Sequence, residues 1–227
     1  MPIPLRLESD HLPPRGEGNL GALDDSKVQG FARQTIAFLQ EIEQAHGLTI
    51  RRVAIDAPSA PKRARFARRV AEVAMDDMKI SCFATPSVEE FGKIRDKARG
   101  HLDEGGSESR IPHANQLWML VGFALFTALR QRYECIEVFP QAIVHRLGVS
   151  SQHKSTAGGL GKQLEAVARH TKWPTTGESL SAVCFGSQHD RLDAYLSAWI
   201  ASLPLYQRRA CGDPDADDVI WIPEFGA

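Results

Sequence analysis

The sequence predicts an α/β domain, ribonuclease H-like in type, with a central mixed sheet flanked by helices. Short β-branched runs, Arg52-Val53-Ala54-Ile55 and Cys135-Ile136-Glu137-Val138-Phe139, alternate with longer stretches whose apolar residues recur at helical spacing. Prolines close both runs, at Pro58 and Pro140. With 43 % of 227 residues hydrophobic, the chain can bury one sizeable core, so residues 1–227 are expected to form a single domain.

Residues 1–26 are rich in proline, glycine and charge and are expected to be loosely ordered, with only Ile3-Pro4-Leu5-Arg6-Leu7 reading as a short strand or edge segment. Val28, Phe31, Thr35, Phe38, Leu39 and Ile42 then mark an amphipathic helix that Gly47 can stop. The strand at Arg52 to Asp56 follows, and after it the spacing suggests a basic helix over Lys62 to Asp77. A second short strand is expected around Lys79 to Phe83. Ser87-Val88-Glu89-Glu90 has the capping-box pattern that opens a helix. Ala114 to Arg130 is apolar nearly all round and reads as a central buried helix. Glu137 sits in the next strand, with a short helix from Gln141 to Leu147 behind it. A glycine-bearing connection leads to a helix through Val167. Leu192, Tyr195, Leu196, Trp199, Ile200 and Leu203 give the clearest helical stripe, and Val219 to Pro223 reads as a closing strand.

The longest apolar stretch, Leu117 to Leu129, is broken by Gly122 and Thr127 and is shorter than the roughly 20 residues a membrane-spanning helix needs. No membrane association is expected. The opening residues lack a basic start followed by an apolar run, so a cytoplasmic location is expected. Cys82, Cys135, Cys184 and Cys211 lie too far apart for a zinc or dithiol motif. A formal net charge of -1 gives no overall field for nucleic acid, so any such binding needs a local patch. Oligomeric state is not legible from the residues.

Asp56 and Glu137 each lie in or at the end of an otherwise apolar strand, and burying an unpaired carboxylate costs several kcal/mol. At about 100° per residue, Asp190 and Asp193 share one face at the start of the last helix. Four carboxylates converging from two strands and a helix suit Mg²⁺ or Mn²⁺, and two such ions can drive phosphodiester hydrolysis. The same residues have a plainer explanation. Asp56 can cap a turn, Glu137 can pair with an arginine, and Asp190 and Asp193 can simply favour the positive end of their helix. Lys62, Arg63, Arg65, Arg68 and Arg69 follow Asp56 closely. Positions 62, 65 and 69 share a helix face that either holds nucleic-acid phosphates or is merely solvated. Gly158 to Lys162 fails the phosphate-loop pattern, because Thr156 stands where its first glycine belongs.

Four segments carry a resemblance: Val53-Ala54-Ile55-Asp56-Ala57-Pro58-Ser59, Ile136-Glu137-Val138-Phe139-Pro140-Gln141-Ala142, Lys154-Ser155-Thr156-Ala157-Gly158 and His189-Asp190-Arg191-Leu192-Asp193-Ala194. In this order and spacing the chain resembles the DUF429 family of uncharacterised proteins, whose members are predicted nucleases with a ribonuclease H-like fold. The likeness covers about residues 50 to 222. It implies a Mg²⁺- or Mn²⁺-dependent hydrolase acting on RNA or DNA, with Asp56, Glu137, Asp190 and Asp193 as metal ligands and catalytic residues. Lys154 then stands where a cation can neutralise a phosphate or developing oxyanion. The family's usual first-strand Gly-Ile-Asp or Gly-Val-Asp motif is not found before Asp56. That absence keeps a second expectation open, a catalytically incomplete module that binds nucleic acid or a protein partner.

Overall fold

The computed structural model describes residues 16, 18–149, 156–173, 176–181 and 186–225. The helix α1 covers Gly18–Ala22 and α2 covers Asp25–His46. Asp24 caps α2 by accepting from the Ser26 and Lys27 amides, and Gly47 ends it in the left-handed region at φ 59°. Next come β1 (Arg52–Ile55), α3 (Val70–Asp77), α4 (Val88–Asp103) and α5 (Ala114–Leu129). The predicted capping box opens α4, since the Ser87 hydroxyl accepts from the Glu90 amide and the Glu90 carboxylate takes the Ser87 amide. The chain continues through β2 (Glu134–Glu137), α6 (Pro140–Arg146), α7 (Ala157–Thr171), α8 (Gly177–Ser181) and α9 (Gln188–Ser202). It closes with β3 (Arg208–Asp213) and β4 (Asp218–Pro223).

The architecture is mixed α/β with small sheets. β1 and β2 pair in parallel, from Arg52 opposite Glu134 to Ile55 opposite Glu137. β3 and β4 pair antiparallel, and a parallel bridge between Val138 and Trp221 connects the two pairs. Helices lie on both sides. Ile136, Val138, Leu192, Leu196 and Ile200 belong to a large buried cluster that sets α9 against the strands, while Ile55, Phe126, Leu129 and Tyr133 form another that sets α5 on the opposite side. Among the described residues no helix is long and apolar enough to cross a membrane.

Two expectations need correction, and one strand was not foreseen. The basic run from Lys62 to Arg68 is not helical, and α3 begins only at Val70. Arg69 is extended at φ -67°, ψ 153°, because its guanidinium turns into the protein interior. Lys79 to Phe83 forms no strand. Lys79 takes a left-handed φ of 62°, the Ile80 amide bonds back to the Met75 carbonyl at 2.9 Å, and Arg68 occupies the Cys82 carbonyl, so those backbone groups close α3 instead of joining a ladder. The strand β3 was not legible, because Arg208-Arg209-Ala210-Cys211-Gly212-Asp213 lacks a β-branched pattern and owes its pairing to β4. The expected segment at Ile3 to Leu7 lies outside the described residues.

Two contacts fix where the parallel pair begins and ends. Glu43 near the end of α2 accepts the Ile50 amide at 2.9 Å and the Tyr133 hydroxyl at 3.1 Å, and so ties together the entries of β1 and β2. At the other end α5 approaches the exit of β1 through Gly122. A Cβ there meets the Ala57 Cβ at 2.4 Å, so only glycine permits this approach. Gly122→Ala is expected to destabilise the fold by about 1–3 kcal/mol through overpacking, read as a lower denaturant midpoint. The Ile50 amide above all holds the Glu43 carboxyl below its ordinary value of 4.5, with help from the Tyr133 and Arg132 hydrogen bonds. Below pH 4.5 the unfolded chain therefore takes up the Glu43 proton first, and stability falls as pH drops through the folded value. Denaturation midpoints measured across that acid range should fall less steeply in Glu43→Gln than in the parent chain.

Candidate site at the ends of the parallel strands

Asp56 and Glu137 do come together at the carboxyl ends of two adjacent parallel strands, the place where open α/β sheets take ligands. Their surroundings differ. Glu137 is buried, with 5 % of its surface exposed, and both its oxygens are engaged. Arg69 donates from Nη1 to Oε1 at 2.8 Å and from Nη2 to Oε2 at 2.7 Å, and the Ser59 amide adds a third bond to Oε2 at 2.7 Å. Arg69 is itself 5 % exposed. Its Nε donates to Asp218 at 2.9 Å, and its own amide bonds to Glu72, whose other oxygen accepts from the Thr85 amide at 2.7 Å. Burial pushes the Glu137 carboxyl up, against the pull of Arg69 and Ser59, while the acids around Arg69 raise its guanidinium. This is a buried, fully hydrogen-bonded ion network.

The aspartates lie elsewhere. Asp56 is exposed and lines two hollows at once. The smaller, about 210 Å³, also touches Glu137, Arg69 and Glu72. The larger, about 1330 Å³, also takes Asp190 and Asp193 in its wall. On α9 the cavity-lining residues Asp190, Asp193, Ala194, Ser197 and Ala201 follow helical spacing, so one helix face borders it. Asp190 also closes its own helix start, accepting from the Ser187 hydroxyl at 2.7 Å and amide at 3.2 Å. The expected gathering of four acids therefore divides, with three aspartates on the large cavity and Glu137 bound to Arg69. Among the described residues no group of three or more His, Cys, Asp or Glu is placed to hold a metal ion.

The expected basic face divides too. Arg69 is inside the protein and does not reach phosphate, because it neutralises Glu137. Lys62 is paired with Glu90 at 2.6 Å. Arg63 and Arg65 are exposed, and Arg65 lies 4.8 Å over the ring of Phe66. Lys154 lies outside the described residues.

Sequence reasoning missed Glu72 and Asp218, since Glu72 lies within a segment read as a basic helix and Asp218 follows other aspartates at the entry of the closing strand. One signal was present. A carboxylate buried in a strand demands a cation, and Arg69 is the last charge before the apolar face of α3 begins.

Three of the four sequence motifs are brought to neighbouring walls, those that carry Asp56, Glu137, and Asp190 with Asp193. The model of the family described as a protein of unknown function, DUF429, matches residues 15–214. The chain belongs to the DUF429 family. No curated protein and no solved structure matches it.

In this DUF429 protein the Arg69–Glu137 pair makes a sharp energetic prediction. Arg69→Met leaves a carboxylate buried without its cation and is expected to cost about 3–5 kcal/mol. The double variant Arg69→Met, Glu137→Met removes both charges, so its loss should be smaller than the sum of the two single losses. Urea denaturation of the parent, the singles and the double completes the cycle.

Proposed function

We propose that this DUF429 protein is a ribonuclease H-like module that binds single-stranded nucleic acid without an assembled two-metal centre. The surface of Arg63, Arg65, Phe66 and Phe83 is the observation that carries this reading. Two hydrogen bonds, Lys62 amide to Pro86 carbonyl at 3.3 Å and Arg68 to Cys82 carbonyl at 3.1 Å, hold the segment 62–68 beside the segment 82–86. Phe66 is 41 % exposed and Phe83 59 %, unusual for rings with no need to face water, and they stand beside two exposed guanidinium groups. Aromatic faces for stacking and cations for phosphates are what single strands require.

The Arg69–Glu137 pair is the reason binding is proposed in place of cutting. Mg²⁺ and Mn²⁺ need carboxylate oxygens that are open to them and close together. Both Glu137 oxygens are engaged, and the described residues contain no gathered group of three ligands, so the residues present do not fit a preformed two-ion site. A second reading, a Mg²⁺- or Mn²⁺-dependent nuclease, is favoured by Asp56, Asp190 and Asp193 sharing one cavity wall.

Fluorescence anisotropy with a labelled single-stranded oligonucleotide tests the proposal. Binding should weaken as salt rises, and Arg63→Ala with Arg65→Ala should lower the salt slope by about 0.7 for each phosphate that is no longer neutralised. Phe83→Ala should cost about 1–3 kcal/mol with the slope unchanged. Absence of binding ends this reading. Mn²⁺-dependent cleavage that disappears in Asp56→Asn or Asp193→Asn replaces it with the nuclease.

A further inference from the structure

The smaller cavity, about 210 Å³, adjoins the surface of exposed rings and guanidinium groups, because Phe83 belongs to both. Among the described residues that line it, only Asp56, Phe83 and Trp118 are exposed, so these three frame its mouth. Phe83 exposes 59 % of its surface and Trp118 38 %. The Gln116 side chain donates to the Ala84 carbonyl at 3.4 Å, which sets the start of α5, and with it Trp118, beside the segment that carries Phe83. Pro58, Met119 and Phe139 add apolar walls. The deeper polar groups are Arg69, Glu137 and Glu72, and these bind one another and the Ser59 and Thr85 amides.

The size is below the roughly 300–1,000 Å³ of a pocket for a drug-sized molecule, so it has room for one flat ring system and not for a run of stacked bases. Aromatic side chains accept any base, since every base has a π face. Discrimination therefore falls to the polar group at the mouth. Asp56 is a carboxylate there, able only to accept, and a carboxylate takes up to about four hydrogen bonds. Base edges differ in what they offer it. Thymine and uracil present one N–H between two carbonyl oxygens, while adenine and cytosine present an amino group beside a ring nitrogen whose lone pair repels the carboxylate. Guanine alone sets two N–H donors side by side, at N1 and N2, and meets both carboxylate oxygens at once.

We infer that this cavity takes one unstacked guanine base of a single strand lying along Arg63, Arg65 and Phe83, with Phe83 and Trp118 against the ring and Asp56 accepting from N1–H and N2–H. The inference rests on the single-strand reading above and adds the base that the strand must present. Drawing a base out of its stack costs energy, which contact with the two aromatic rings and the paired hydrogen bonds offsets. Asp56 then acts as a base reader and needs no metal ion for that role.

Anisotropy titrations of the full chain should compare a labelled single-stranded thymidine decamer with decamers in which one central base is guanine, hypoxanthine, adenine or cytosine. The guanine decamer should bind about 5- to 150-fold tighter than the thymidine decamer, the discrimination of one good bidentate pair. Hypoxanthine keeps N1–H and lacks the amino group, so it should lose most of that gain with the protein unaltered. Asp56→Asn puts a donor in place of one acceptor and should bring the guanine-to-thymine affinity ratio close to one. Equal affinity for all the decamers, with binding still salt-dependent, overturns the inference and leaves the single-strand reading standing. So does tightest binding of the adenine or cytosine probe, or a guanine preference that hypoxanthine matches or Asp56→Asn retains. No binding of any decamer ends that reading and this inference with it.

Discussion

A carboxylate at the end of an apolar strand has to be neutralised, and in this protein Arg69 meets that demand for Glu137. Taking either ion out of water costs several kcal/mol, which the pair offsets only because the remaining polar atoms around it are also hydrogen-bonded. The geometry that follows is extensive. Arg69 must leave the solvent, so its own backbone is extended and α3 starts one residue later. Asp218 at the start of β4 accepts from Arg69 Nε and from the Val70 amide, so β4 is tied to the start of α3. Ser59 closes the turn after β1 by donating its amide to the same carboxylate. Four separate parts of the chain are thus held by one guanidinium and one carboxylate.

That anchor also decides what the neighbouring acids face. With Ser59 tied inward, Asp56 remains at the surface, between the hollow that holds the ion network and the larger one beside α9. Arg52, at the other end of β1, donates to the Ala201 carbonyl at 2.6 Å and so fixes the last turn of α9 against the strand. Asp193 lies eight residues earlier in α9, about 12 Å along the helix, and Asp56 lies four residues along the strand, about 13 Å. The matching rises explain how acids distant in sequence reach one cavity wall.

Much of this organisation was legible in the residues. Helical spacing located α2, α5 and α9 to within a few residues, and the Ser87 to Glu90 pattern located the start of α4, because these signals act within a single turn of helix. The strand-end position of Asp56 and the strand position of Glu137 followed from short β-branched runs closed by proline, although the strand ends at Glu137 and not at Phe139. The basic segment misled, because helical spacing in Lys62 to Arg69 is a property of a run of charges whatever its backbone does. β3 misled in the opposite sense, since a strand that depends on its partner need not advertise itself.

The sequence by itself determined the α/β class, the family, and the set of acids delivered to the ends of the parallel strands, all of which rest on local patterning and order along the chain. Only the tertiary structure decided which of those acids is committed to an internal ion pair and which line a cavity. A charge pattern says that a carboxylate needs a partner but not which cation, out of five close together, can be bent inward to reach it. That choice depends on distances across 68 residues of chain, between Arg69 and Glu137, and on the dry interior that makes their attraction strong.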